Sequence, residues 1–392
     1  MTGDGLGGMR TPVIVDAVRT PVGKKAGALS AAHPADVLGR VQREVLERAG
    51  VDPADVGQVV GGCVTQVGEQ SFNATRMAWL HAGLPYTVAA STLDCQCGSS
   101  QQANHFVASL IAADVIDVGV ACGVEMMSRV ELGANTRGPG KPKPRGFPYD
   151  LPSQFVAAER IAAKNGFTRE DADLVGLRSQ QRAAQAVTEG RFEREIVPVA
   201  VPSSAPDTDS AAVLVTRDEG PRPTTPEGLA DLEPILKEGV HTAGNTSQIS
   251  DGAAAVLWMD ERAATARSLR PRARIRAQVL VGTDPYFHIE GPIDATRALL
   301  ARTGLSLDDI DLFEINEAFA AVVLAWQRAF DVDPERLNVN GGAIALGHPM
   351  GATGARLITS ALHELERTGG DTALIAMCCG GAVATGTLLE RI

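Results

Sequence analysis

Aromatic side chains are scarce: Phe, Tyr and Trp make up only 4% of the 392 residues, against 41 glycines. An interior drawn from such a chain is filled by small residues, so its layers must approach closely. Basic charge is also short, with 36 Lys and Arg facing 47 Asp and Glu for a net charge of −11. No cationic surplus exists to neutralise phosphates, which excludes a general nucleic-acid binder. Local basic patches remain available for anionic substrates. No apolar run approaches the roughly 20 residues that span a bilayer, so no membrane partner is expected. The start, Met1-Thr-Gly-Asp-Gly, lacks the basic and apolar regions of a signal peptide, and the end, Leu-Glu-Arg-Ile392, is not a peroxisomal address. A cytoplasmic protein is the expectation. Zinc-type spacing is missing around Cys63, Cys95, Cys97, Cys122, Cys378 and Cys379, and a large chain without a secretory signal is a poor setting for a disulfide framework. No metal site is expected.

What is there is ordinary globular material, 44% hydrophobic and 21% charged, in a length that allows two or three domains. Residues 10–125 alternate apolar runs such as Val118-Gly-Val-Ala-Cys122 with amphipathic helical stretches at 35–49 and 100–113, the texture of an α/β layer structure. Residues 126–240 differ. They carry Gly-Pro-Gly-Lys-Pro-Lys-Pro at 138–144, helical stretches at 154–165 and 169–190, and Pro-rich loops at 198–228, and they read as an insertion. The α/β texture returns from about 242. Both α/β regions run turn, helix, apolar strand, Cys-Gly: 98–123 in the first, 347–380 in the second. Two copies of one unit packed side by side would form a natural interface site.

Four stretches carry chemistry. In Leu93-Asp-Cys-Gln-Cys-Gly-Ser-Ser-Gln-Gln102, Cys97 directly precedes a helix start, where the macrodipole and free N–H groups favour thiolate. It reads as a nucleophile or as a small buried hydrophobe. Cys95 lacks that position, and packing against the strand is its expected role. Asn338–Gly354 places His348 between Gly347 and Pro349 among five glycines, as in a backbone folded tightly around something. Met377-Cys378-Cys-Gly380-Gly ends an apolar strand, the place where open α/β sheets bind ligands. Asn316, in Glu314-Ile-Asn-Glu-Ala-Phe-Ala320, stands between a strand and a helix, as an N-cap or as a site amide. Together, two thiols, an imidazole and an amide suit carbon–carbon bond chemistry on a thioester.

On Cys97-Gly-Ser, Asn316-Glu-Ala-Phe-Ala, Gly-Gly-Ala-Ile-Ala-Leu-Gly-His348-Pro-x-Gly and Cys378-x-Gly-Gly, the chain resembles the thiolase superfamily along nearly its whole length. The resemblance implies two similar βαβαβαββ halves forming a layered α-β-α-β-α core with an inserted loop domain. The corresponding division is 1–125 (completed by about 241–270), 126–240 and 271–392. It implies Cys97 as acyl-accepting nucleophile, Cys378 as acid and base, His348 as activator of Cys97 and oxyanion-hole donor, and Asn316 holding a water. The N–H groups of Cys97 and Gly380 would form a second oxyanion hole. It implies acyl-CoA and CoA as substrates with no permanently bound cofactor, Arg222 and Ser247 as CoA contacts, and a homodimer or homotetramer. β-Ketoacyl synthases share the fold but pair their cysteine with two histidines, so Cys378 favours a thiolase.

Three departures from the common pattern stand out. Ser100 replaces a glycine after Cys-Gly-Ser; Gln154-Phe-Val-Ala-Ala-Glu159 and Tyr286-Phe-His-Ile-Glu-Gly-Pro292 replace stretches near the family's acyl pocket. The expectation is a degradative 3-ketoacyl-CoA thiolase for a bulky acyl group, in look closest to actinobacterial thiolases of steroid side-chain degradation. A biosynthetic acetyl-CoA acetyltransferase and a catalytically silent acyl-CoA-binding scaffold are the rivals.

Overall fold

The computed structural model describes residues 10–202 and 212–392; the Met1-Thr-Gly-Asp-Gly stretch and part of the Pro-rich stretch 198–228 lie outside the described residues. Strands β1 (Pro12–Arg19), β2 (Gln58–Gly62), β3 (Ala89–Leu93), β4 (Val118–Met126) and β5 (Ser250–Asp260) form one half-sheet in the order β1-β5-β4-β2-β3. Its first two pairings are antiparallel and its last two parallel. Strands β6 (Ala273–Gly282), β7 (Leu312–Ile315), β8 (Thr372–Cys379) and β9 (Val383–Arg391) repeat this as β6-β9-β8-β7, antiparallel twice and then parallel. A parallel bridge from Phe313 to Leu337 stands where the fifth strand would be. One antiparallel pair, Ile14 with Ala273, joins the halves.

The helices named below are α1 (Pro34–Ala49), α2 (Ala74–His81), α3 (Ser99–Ala112), α4 (Gln154–Asn165), α5 (Arg169–Thr188), α6 (Gly291–Thr303), α7 (Ala320–Phe330) and α8 (Met350–Thr368). Helix α1 forms where Val37, Leu38, Val41, Val45 and Leu46 recur at helical spacing and bury one face on the first half-sheet. It opens with Pro34 and closes on Gly50 at φ +66°. Helices α3 and α8 lie between the half-sheets, α1 and α2 cover one outer face, and α6 and α7 cover the other. That is an α-β-α-β-α stack. A central cluster contains Ile14, Val107, Ile111, Trp258, Ile358, Leu362 and Ile375, taken from both halves.

Residues 100–113 read as amphipathic, but α3 is buried on almost every side. Its polar residues are paired with β9 rather than with solvent. Gln101 Nε2 donates to Thr387 Oγ1 at 2.7 Å, Thr385 Oγ1 donates to Gln101 Oε1 at 2.6 Å, and His105 Nε2 meets Thr387 Oγ1 at 2.8 Å. A polar stripe marks hydrogen-bonding capacity, and here another element supplies the partners. Contact between α3 and α8 is so close that a Cβ on Gly354 would sit 2.3 Å from the Gln101 nitrogen. The inserted region carries α4 and α5, which match the stretches 154–165 and 169–190, the second ending two residues early at Thr188. Buried Arg19 of β1 ties this region down through Glu195 (2.6 Å) and Asp218 (2.7 and 2.9 Å). Removing one partner of such a group costs about 3–5 kcal/mol.

Candidate active site

Cys97 sits in the turn between β3 and α3, which is knotted by local bonds. The Gln96 N–H donates to Asp94 Oδ1 at 2.7 Å and the Cys95 N–H to Ser99 Oγ at 2.9 Å, while the Ser99 hydroxyl donates to the Gln96 carbonyl at 2.6 Å. Gln96 adopts φ +50°, a conformation costly for a non-glycine residue. The segment is therefore a turn and not an extended strand. Cys97 points inward and is 2% exposed, whereas Cys95 is half-buried beside Cys379, and the Cys379 thiol holds Cys95 below the usual thiol range. Gly98 has no room for a side chain: a Cβ would meet Cys379 Sγ at 2.7 Å and Thr385 at 2.6 Å.

At Cys97 burial works against the helix-start preference for thiolate. Burial pushes the Cys97 thiol up to about 11, outweighing the hydrogen bond from the Gln154 amide (3.9 Å) and the pull of the nearby backbone N–H of Gly380. Cys378, at the end of β8, is fully buried, and its thiol is pushed up by burial and by the charge that Cys97 would carry. The two thiols are thus electrostatic neighbours. Ala157, Ala158, Ile161, Ile289 and Phe319 pack in one apolar cluster with Cys378.

His348 enters from the second half, in the turn before α8. That helix begins at Met350 with Pro349 as its N-cap, five residues earlier than the 355–365 stretch read from sequence. Gly347, at φ +103°, makes the turn, and the His348 N–H donates to Ser250 Oγ at 3.1 Å. Thr353 Oγ1 lies 2.8 Å from His348 Nδ1 and donates its one proton to the Pro349 carbonyl at 2.9 Å. On this network Nδ1 carries the ring proton, and Nε2 is the unprotonated nitrogen. Nε2 has no partner among the described residues, and burial pushes the imidazole down to about 3, with Arg356 adding to the effect. Burial thus favours the neutral form of both the thiol and the imidazole.

Asn316 is not an N-cap. Helix α7 starts at Ala320 with Phe319 as its cap residue and no side-chain capping bond. The Asn316 backbone N–H donates to the Ala376 carbonyl at 3.1 Å, and neither polar atom of the 1%-exposed side chain has a partner among the described residues. A buried amide left open is costly, so it reads as a donor and acceptor for a ligand or water.

Arg222 and Ser247 lie apart from this centre, joined to it by one segment. Arg222 is exposed beside a cavity of about 520 Å³ lined by Gln180, Gln181, Thr188, Arg217 and Pro223, and its guanidinium reaches the Ala243 carbonyl at 3.4 Å. Four residues on, the Ser247 N–H donates to the Ala318 carbonyl at 3.1 Å, two residues from Asn316.

Three contributors escaped the sequence reading. Gln154 reaches the nucleophile's sulfur from α4, and its only signal was its departure from the family pattern. Thr353 sets the imidazole tautomer from inside the Gly-rich stretch, at a spacing of five that no motif logic singled out. Glu125, an unremarked strand residue, accepts from the N–H groups of Val64, Thr65 and Gly351 and from Gln70 Nε2, which locks the start of α8 to β4.

Two buried thiols, an open imidazole nitrogen and inward backbone N–H groups define an enzyme that moves acyl groups through a thioester. Residues 12–262 match the family description "Thiolase, N-terminal domain" and residues 269–391 match "Thiolase, C-terminal domain". The chain is 46% identical to the steroid 3-ketoacyl-CoA thiolase FadA6 of Mycobacterium tuberculosis, over 100% of this chain and 97% of that one. It is 40% identical to a 3-ketoacyl-CoA thiolase of Bacillus subtilis, over 97% and 100% of the two chains. A crystal structure of the Bacillus anthracis acetyl-CoA acetyltransferase superposes with a TM-score of 0.90 at 37% identity, covering 98% of this chain and 99% of that one. The chain belongs to the thiolase family and is an acyltransferase.

Proposed function

We propose that the protein cleaves a 3-ketoacyl-CoA with free CoA, giving acetyl-CoA and a shortened acyl-CoA, by a ping-pong route through a Cys97 acyl-enzyme. The observation that carries this reading is the Cys97 thiol held beside Cys378, with the Gly380 N–H directed at its sulfur. His348 Nε2 takes the Cys97 proton, and the thiolate attacks the 3-keto carbon. The resulting oxyanion is held by the N–H groups of Cys97 and Gly380. The C2–C3 bond then breaks, its electron pair leaves on acetyl-CoA as an enolate whose oxygen is held by His348 and by a water on Asn316, and the Cys378 thiol protonates that carbon. The second-step oxyanion forms on the same acyl oxygen, at the same N–H groups of Cys97 and Gly380. There the incoming CoA thiol gives its proton to the Cys378 thiolate and displaces the acyl group, and Cys97 regains its proton from the imidazolium. Each base is regenerated.

CoA follows the segment 243–247, with Arg222 at its nucleotide end and Ser247 along its pantetheine arm; an exposed guanidinium suits phosphate and a half-buried hydroxyl suits amides. The acyl group is bulky, a reading supported by the departures at 154–159 and 286–292 and by the likeness to a steroid thiolase. We further propose the division 1–125 (completed by about 241–270), 126–240 and 271–392, a cytoplasmic setting, and a homodimer or homotetramer. The open edge of β3, beside Phe72 (84% exposed) and Tyr86 (79% exposed), supports self-association. Among the described residues no helix is long and apolar enough to cross a membrane.

Incubation with a 3-ketoacyl-CoA without free CoA, followed by intact-mass and peptide analysis, tests the reading. An acyl adduct on Cys97 and release of acetyl-CoA are expected. A preference for acetoacetyl-CoA over long and cyclic acyl chains overturns the degradative assignment in favour of acetyl-CoA acetyltransferase. Acyl-CoA binding with no turnover, unchanged in Cys97→Ala, overturns catalysis itself.

A further inference from the structure

His288 lies in the short helical segment Pro285–Glu290 that joins β6 to α6. Its side chain is 2% exposed, and neither ring nitrogen has a hydrogen-bond partner among the described residues. Only its backbone is engaged, where the carbonyl accepts from Thr283 Oγ1 at 3.2 Å. A buried imidazole with both nitrogens open works against folding, because the ring loses water and gains nothing in exchange. An apolar side chain would pack there at less expense.

The ring's surroundings point to what it is for. It lies against the carbonyls of Pro152 and Ser153 in a geometry that leaves both nitrogens unbonded. The next residue, Gln154, places its amide on Cys97 Sγ. On the other side Ile289 packs with Phe319 and Cys378, and Phe155 and Phe287 border the same cluster. The ring thus stands in an apolar wall between the helix start that touches one thiol and the cluster that holds the other. Arg160 and Lys143 bring positive charge towards it, although Arg160 is already paired with Asp150 at 2.9 Å and stacked on Tyr286. Their field favours an electron-rich partner.

We propose that His288 is a specificity-determining residue that hydrogen-bonds an oxygen carried on the acyl chain beyond the 3-keto carbon. The preferred substrate is then an oxygenated 3-ketoacyl-CoA, with a ketone or carboxylate in that part of the chain, and not a plain hydrocarbon one. This rests on the thiolase reading above and narrows its substrate class. A site built to bond a substrate oxygen discriminates strongly against the analogue that lacks it, because the site's own polar group is then left unpaired.

The test uses three 3-ketoacyl-CoA substrates of one chain length, ending in a methyl group, a methyl ketone and a carboxylate. Steady-state acetyl-CoA release is measured for wild type, His288→Met and His288→Gln. Wild type is expected to favour at least one oxygenated substrate by about 10-fold or more in kcat/KM, and which one identifies the oxygen. His288→Met levels that preference by lowering turnover of the oxygenated substrate while sparing the methyl one. His288→Gln, which keeps a donor and an acceptor, retains most of it. Wild type without preference, or His288→Met slowing all three by one factor, overturns the assignment while leaving the thiolase reading intact. No acetyl-CoA from any of the three overturns the thiolase reading, and this proposal with it.

Discussion

Cys97 and His348 occupy the same place in the two halves, the turn that feeds a central helix, yet the two turns are built differently. The first is held by side-chain bonds from Asp94 and Ser99 around a left-handed Gln96, and it enters α3 through Gly98. The second bends at Gly347, anchors its backbone on Ser250 and enters α8 through Pro349. The repeated strand order brings the starts of α3 and α8 into contact, as the Ala355 to Ser100 bond shows, so two turns 251 positions apart adjoin without a long loop. What each turn then does to its functional group is local. The thiol is buried under hydrogen-bond donors, whereas the imidazole has one nitrogen tied and one left open. Duplication of a fold unit thus supplies the meeting place, and divergence of the two turns supplies the chemistry.

The strongest way to break the comparison is to empty the second turn. His348→Ala removes the base that this turn supplies, and kcat for thiolysis is expected to fall about 10³-fold, within the range for a positioned general base. Melting should be nearly unchanged, because the lost ring makes one side-chain hydrogen bond. A loss under 10-fold would show that the two turns do not act as a pair.

The resting protonation state sharpens the same contrast. A thiol whose range is pushed up to about 11 loses its proton only as pH climbs well past 9, and an imidazole pushed down to about 3 does not gain one on mild acidification. In the free enzyme, the rate of Cys97 alkylation by iodoacetamide should therefore rise steadily from pH 7 to pH 10 with no plateau. A plateau near pH 7 would instead reveal a standing thiolate–imidazolium pair.

Thr353→Val tests what fixes the imidazole. Without the hydroxyl, the proton on Nδ1 loses its acceptor and Nε2 its bias towards the basic form. A loss of about 10-fold in kcat is expected, with the pH profile displaced and with Thr353→Ser restoring both. If Thr353→Val and Thr353→Ser behave alike, the hydroxyl has no part in setting the tautomer.

Much of this was legible in the residues, and what was not has physical reasons. Apolar spacing located α1, α4 and α5, because each buries one face and leaves the other to solvent. It misread α3, whose Gln101 and His105 look outward by pattern but bond to β9. The four chemical positions Cys97, Asn316, His348 and Cys378 could be picked because strand ends and helix starts converge in a duplicated layer fold. The ionisation of Cys97 could not. A helix start seen along the chain predicts thiolate, while desolvation by the second half-sheet and the inserted region is set by elements more than fifty residues away. Thr353 and Glu125 were missed for a related reason: their roles are hydrogen bonds to backbone and ring atoms fixed only once the chain has folded.

Ser100 gives the smallest and cleanest test, because it sits where the two halves touch without carrying chemistry. Its Oγ accepts the Ala355 N–H at 2.9 Å, which bridges the first turn of α3 to the first turns of α8. Ser100→Gly would leave that N–H buried and add glycine's backbone entropy near the helix start, a loss of about 1–2 kcal/mol. The urea midpoint should fall accordingly, while kcat stays within about twofold, since Cys97 is held by Asp94, Ser99 and Gly98 and not by Ser100. The bond has the right place to transmit position between the turns, and this sets the contrary outcome. If kcat drops several-fold while the midpoint holds, the link between α3 and α8 controls the thiol–imidazole approach, and the two turns are coupled instead of merely adjacent.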